Sequence, residues 1–232
     1  MQYPLNIRRF NLINVQDKFL SYSDPLNKFA ANYGLIAPSG ELKNLTFNGT
    51  DMGLFYLVED HKKEFLERDF GIVDYVMFSP LDNWVGTSYG HVSPHDLSYF
   101  YYEASGYSDE DSLGLARAQL KLLFSAVKSQ DYDLLESLID KDYMSKFLAL
   151  MYLFNDIHLV TGDNLRFIYD FHRGNFYPLF RLENLPSKFE VKRNVDFNKM
   201  LFENYDFSPT HDFFSFLIQD DSIRFKRDEY LW

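Results

Sequence analysis

The chain has 232 residues, enough for one large domain or two small ones, with 46% hydrophobic residues and 25% charged residues, a globular rather than a disordered balance. Its formal net charge of −11 argues against a nucleic-acid binder that works through a broad basic surface, and the absence of cysteine excludes disulfides, thiol nucleophiles and cysteine-held metals. Aromatic residues reach 19%, with 24 Phe and 17 Tyr against 2 Trp, so the core is expected to be rich in phenylalanine. No apolar run approaches the ~18 residues that span a bilayer. The first residues lack the apolar centre of a signal peptide, which leaves the cytoplasm as the default expectation without fixing it.

In chain order, Asp24 and Pro25 predict a helix start, with Asp24 as cap and Pro25 in the first helical position, where a missing N–H costs nothing. Leu26, Phe29, Ala30 and Tyr33 form the apolar stripe of this helix and Gly34 its stop. Asn48-Gly49 stands between two β-prone runs, 42–47 and 52–59, which is the strongest short hairpin signal. The second run ends abruptly on Glu59 and hands over to a charged helical turn. Two readings of that strand end stay open: an ordinary buried strand, or the hinge of a kinase-like fold, where the last backbone groups meet an adenine ring. A further strand is expected over 72–78, then an irregular excursion over 79–106.

The second half reads as helical. Ser108-Asp109-Glu110-Asp111 resembles a capping-box start, followed at helical spacing by Leu113, Ala116, Leu120, Leu123 and Val127. Helices are expected over 131–138 and 142–154, then a hairpin of strands 165–169 and 175–180 around the turn Asp170-Phe171-His172-Arg173-Gly174. Thr210 is the expected cap of a single last helix running from Phe213 to about Tyr230. The order makes an α+β chain with a β-rich part at 1–78 and a helix-rich part at 107–232.

The block around the late hairpin carries candidate chemistry. Asp156 closes a helix, Asp163 and Asn164 precede the hairpin, and Glu183 and Asn184 follow it. Phosphoryl transfer needs a carboxylate to orient a hydroxyl nucleophile and oxygen donors to hold Mg²⁺ against phosphates. Asp and Asn are equally the common residues of loops and caps, so the bland reading stands beside this one. His91 and His95 have metal-like spacing, but Pro94 interrupts the helix such a pair would use. The aromatic strip Tyr99-Phe100-Tyr101-Tyr102 reads as loop packing or as a binding strip. A P-loop is absent.

Several of these segments together resemble the spore coat protein CotH kinase-like family. Phe10-Asn11-Leu12-Ile13-Asn14 is similar to its early strand. Asn48-Gly49-Thr50-Asp51-Met52-Gly53-Leu54-Phe55-Tyr56-Leu57-Val58-Glu59 follows its Asn-Gly strand segment, 147–156 its buried helix, and 163–178 its hairpin. The likeness runs from about residue 7 to 184, and the segment 48–59 is its most specific part. The resemblance implies a single atypical protein-kinase fold, with an N-lobe-like part and a C-lobe-like part, that binds ATP and Mg²⁺ and phosphorylates Ser or Thr of partner proteins. It implies a hinge at the backbone near Glu59, a catalytic carboxylate at Asp156 or Asp163, phosphate or metal contacts at Asn164, and further ligands at Glu183 and Asn184. The acid pair that follows the family's hairpin is replaced here, and Arg181 stands beside it, suited to phosphate rather than to a cation. The family's basic strand before residue 10 is represented only by Arg8 and Arg9, so the chain is expected to be a shortened or incomplete member. The alternative is a catalytically inactive relative that acts as a structural or assembly binding protein.

Overall fold

The computed structural model describes residues 10–14, 20–38, 40–60, 62–79, 103–154, 165–181 and 209–232. These residues hold seven helices and two small antiparallel sheets, a mixed α+β chain. They divide into two compact units, 1–73 with 180–190, and 74–179 with 191–232.

In the first unit, β1 (Phe10–Asn14), β2 (Gly40–Phe47) and β3 (Thr50–Glu59) form an antiparallel sheet in the order β1-β3-β2. The expected hairpin joins β2 to β3. Asn48 and Gly49 both take left-handed φ, 50° and 78°, which matches the twist of the strands they connect. Further along, Leu45 faces Gly53 and Thr46 faces Asp51, so Met52 has no partner and the ladder is bulged. Gly53 absorbs the bulge at φ 84°, and its N–H donates to Asp51 Oδ1 at 2.8 Å.

Helix α1 (Leu20–Asn32) begins earlier than the sequence suggests, and Pro25 lies inside it. Asp24 is therefore not its cap. Its carboxylate pairs with Lys28 at 2.7 Å and accepts from the Tyr56 hydroxyl at 3.4 Å. A tertiary contact has claimed the side chain that local grammar assigns to capping, while Pro25 forfeits one hydrogen bond in the first turns. The apolar stripe is corrected as well. Asn27 and Ala30 are buried, whereas Phe29 is 46% exposed and stacks on Tyr33 at 5.9 Å. Gly34 ends the helix at φ 91°, as expected. Helix α2 (Lys63–Phe70) buries Phe65 and Leu66 and stops at Gly71 in a left-handed cap.

In the second unit, β4 (Tyr75–Ser79), β5 (Glu103–Ser105), β6 (Phe167–Asp170) and β7 (Asn175–Pro178) form a sheet in the order β5-β4-β6-β7. The strand expected over 72–78 thus begins later, and it pairs in this second sheet. β5 falls inside the stretch read as irregular; its three residues are too few to show a period-two pattern. Helix α3 (Glu110–Ser129) is capped by Asp109, whose carboxylate accepts from Ser112 N–H at 2.7 Å. All of Leu113, Ala116, Leu120, Leu123 and Val127 are buried, as their spacing predicts. Helix α4 (Tyr132–Glu136) is capped by Asp131, and α5 (Lys141–Phe154) buries Phe147, Leu150 and Met151.

The single last helix is corrected to two, α6 (Pro209–Gln219) and α7 (Asp221–Leu231). Thr210 lies within the first turn of α6, and the chain breaks at Asp220, whose carboxylate accepts from Ile223 N–H at 2.9 Å and caps α7. The core of this unit is phenylalanine-rich. Phe78, Phe147, Phe167, Phe176, Phe213 and Phe214 are fully buried, with Phe147 stacked on Phe214 at 5.7 Å and Phe167 edge-on to Phe213 at 5.2 Å.

Asp142 ties α5 to α7. It accepts from Lys146 at 2.8 Å, from Lys226 at 3.3 Å and from the Tyr230 hydroxyl. The Lys146, Tyr230 and Lys226 hydrogen bonds hold its carboxyl at about 2, below an ordinary 3.8. Because the folded value is the lower one, this stabilisation is present above the ordinary value and is lost as pH falls toward 2. Asp142→Asn is therefore expected to flatten the acid limb of a stability–pH curve measured by urea unfolding. The carboxylate is 42% exposed, so screening holds the effect near about 1 kcal/mol or less.

Candidate functional site

β3 is the central strand of the first sheet and carries the candidate hinge at its end. Side chains alternate along it, so Tyr56 and Val58 face one side and Leu57 and Glu59 the other. Glu59 pairs with Phe10 on the β1 side, while the β2 ladder ends one residue earlier, at Gly40 opposite Val58. The Glu59 side chain is 3% exposed, and a buried carboxylate needs a charged partner. That partner is Arg68 on α2, which donates from Nη1 to Oε1 at 2.8 Å and from Nη2 to Oε2 at 2.6 Å, a two-pronged pair. Arg68 also donates to both oxygens of Asp69, at 2.7 and 2.6 Å. Hydrogen bonds to Asp69 and then to Glu59 push the guanidinium further up from its ordinary value. On the opposite face, burial and the nearby Asp24 push up the Tyr56 hydroxyl, which stays neutral in contact with α1. The strand end is thus pinned from both sides, and a ligand meeting it would find main-chain groups rather than a spare carboxylate.

The late hairpin β6–β7 is built round Asp170, which is fully buried. One carboxylate oxygen accepts from His172 N–H at 2.9 Å and the other from the Arg173 guanidinium, and its carbonyl accepts from Gly174 N–H at 2.8 Å. Gly174, at φ 70°, completes the turn, and His172 is exposed. Phe176 N–H donates to Leu138 carbonyl at 2.8 Å, and the Tyr143 hydroxyl donates to Pro178 carbonyl at 2.7 Å, so α4's exit and α5 hold the second strand. Burial first, and then Asp140, push the Tyr177 hydroxyl up to about 12. Asp170 and Arg173 thus satisfy one another within the turn.

Of the residues singled out in the sequence, Glu59 ends β3, and Arg181 follows Phe180, whose N–H donates to Ile36 carbonyl at 2.8 Å. Both belong to the first unit, and Arg181 is half-buried. Asp156, Asp163, Asn164, Glu183 and Asn184 lie outside the described residues, as do His91, His95 and the strip 99–102. Among the described residues, no three His, Asp or Glu side chains stand close enough to hold a metal ion. Sequence reasoning missed Arg68, whose nine-residue separation from Glu59 belongs to no local pattern. It also missed the role of Asp170, although an Asp two residues before an N–H that it can bond is a readable turn signal.

The chain matches no model of a known protein family and no curated protein sequence.

Proposed function

We propose that the chain is a phosphotransferase of the atypical protein-kinase type, which moves the γ-phosphate of ATP to Ser or Thr of a partner protein. The observation that carries this reading is the bulged Asn-Gly hairpin whose second strand ends on the buried, ion-paired Glu59. This is the segment in which the family resemblance is most specific, and its strand end is held rigidly enough to present backbone groups to a base. In this reading Asp156 or Asp163 orients the acceptor hydroxyl. Asn164, Glu183 and Asn184 would hold Mg²⁺, and Arg181 would contact phosphate. Mg²⁺ bound with ATP supplies charge neutralisation on the phosphates; the side chains position and orient. A second reading, a silent binding protein on the same scaffold, is favoured by the sequence Arg181-Leu182-Glu183-Asn184, which offers one carboxylate where the family has an acid pair.

The test is titration calorimetry of Mg-ATP into the chain and into Glu183→Ala. Magnesium-dependent binding that Glu183→Ala abolishes is the expected result, to be followed by transfer of labelled phosphate to protein hydroxyls. No heat at millimolar ATP would remove the enzyme reading and leave the binding protein.

A further inference from the structure

We propose that β2 is a docking edge for a second copy of this chain, joined antiparallel, strand to strand, about a two-fold axis through Leu42 perpendicular to the sheet. The order β1-β3-β2 leaves β2 with β3 as its only neighbour among the described residues, and β2 is eight residues long. Leu42 is 37% exposed, and Lys43 and Asn44 beside it are exposed too. An open strand edge recruits another strand unless charges on it forbid the approach.

The charges on this edge forbid most approaches and invite one. With Leu42 facing its own copy, Glu41 of each chain stands opposite Lys43 of the other, twice over. Centring the axis on Glu41 or on Lys43 would instead oppose like charges. Centring it on Asn44 would set Lys43 against Leu45 and leave both charges unmatched. Within one chain, Glu41 already binds Lys43 through one oxygen at 2.8 Å, and the two side chains stay 27% and 46% exposed, so both can be reached from a second copy. The same register brings the exposed Leu42 against itself. Leu54, which faces Asn44 and is 44% exposed, widens the apolar strip on that face. The pairing is short, below the roughly 1,200 Å² of a standard stable interface, so association in the range of about 10–100 μM is expected.

Sedimentation equilibrium of the full chain up to about 300 μM reads this directly. The expected result is a reversible monomer–dimer equilibrium weakened at least about tenfold by Lys43→Glu, which opposes acids across the axis. The double reversal Glu41→Lys with Lys43→Glu is expected to restore it to within about threefold, which separates pairing from misfolding. The chain has no cysteine, so Leu42→Cys introduces a single thiol, and mild oxidation is expected to link two copies in a concentration-dependent way. A monomer throughout the range, or a dimer indifferent to Lys43→Glu, would overturn the proposal. Neither outcome depends on whether the chain binds ATP.

Discussion

Arg68→Ala is expected to lower folding stability by about 3–5 kcal/mol, the largest effect of any single charge removal among the described residues of the first unit. The cost does not come from the lost attraction, which the desolvation of Glu59 largely offsets. It comes from what remains: a carboxylate 3% exposed at the end of β3, with both oxygens stripped of their donors at once. Asp69 is 34% exposed and turns to water. Glu59→Gln is expected to cost less, about 1–2 kcal/mol, because a neutral amide keeps the shape and leaves no buried charge while Arg68 keeps Asp69. Replacing both partners, Glu59→Leu with Arg68→Met, is expected to be milder than Arg68→Ala alone. Urea unfolding of the variants checks the order. Equal losses for Arg68→Ala and Glu59→Gln would mean that water reaches Glu59 and that the strand end is not pinned as described. Under the proposed function, the folded Arg68→Ala protein also loses Mg-ATP affinity, because a loosened strand end no longer presents its backbone in one geometry.

Legibility in the sequence follows the distance over which each decision is made. Asn48-Gly49 and the α3 stripe were readable because their physics is local: positive φ at a turn, and apolar residues at helical spacing. The caps Asp109 and Asp131 bond N–H groups three residues on and are equally local, yet the sequence offered the first only within the 108–111 start and placed Asp131 inside its helix. Where a side chain had two possible partners, the distant one decided. Asp24 has the sequence of a cap and the contacts of a tie to Tyr56, thirty-two residues away, and α1 runs through it. At Asp220 the failure is of another kind: the cap signal was local and present, but the apolar run from Phe213 onward outweighed it. The pairing of Glu59 with Arg68 joins a strand end to the last turn of the following helix, and only the packed unit shows it. The end of β3 and the late hairpin form where the sequence put them, while Asp156, Asp163, Asn164, Glu183 and Asn184 lie outside the described residues.

Gly106→Ala is the second large effect expected, at about 2–4 kcal/mol, and it tests the packing of the second sheet. Gly106 follows β5 directly and sits at φ 89°, a conformation in which an L side chain is strained. A Cβ there would also lie 2.3 Å from the Tyr75 ring, and Tyr75 is itself 3% exposed at the start of β4. The ring cannot swing clear without leaving the core, so either β5 peels from β4 or Tyr75 moves. The choice is measurable. If β5 peels, the variant loses hydrogen-exchange protection at the β4–β5 ladder, where Met77 faces Ser105 and Phe78 faces Ala104, while β6–β7 keeps its own. Gly114→Ala is the control, because its Cβ would meet nothing within 4 Å and it lies in α3, where alanine is the better helix former. Stability is expected to rise slightly in that control and to fall in Gly106→Ala. A neutral Gly106→Ala would show that the turn after β5 holds neither its left-handed backbone nor its contact with Tyr75, and that β4 needs only β6 to stay in the sheet.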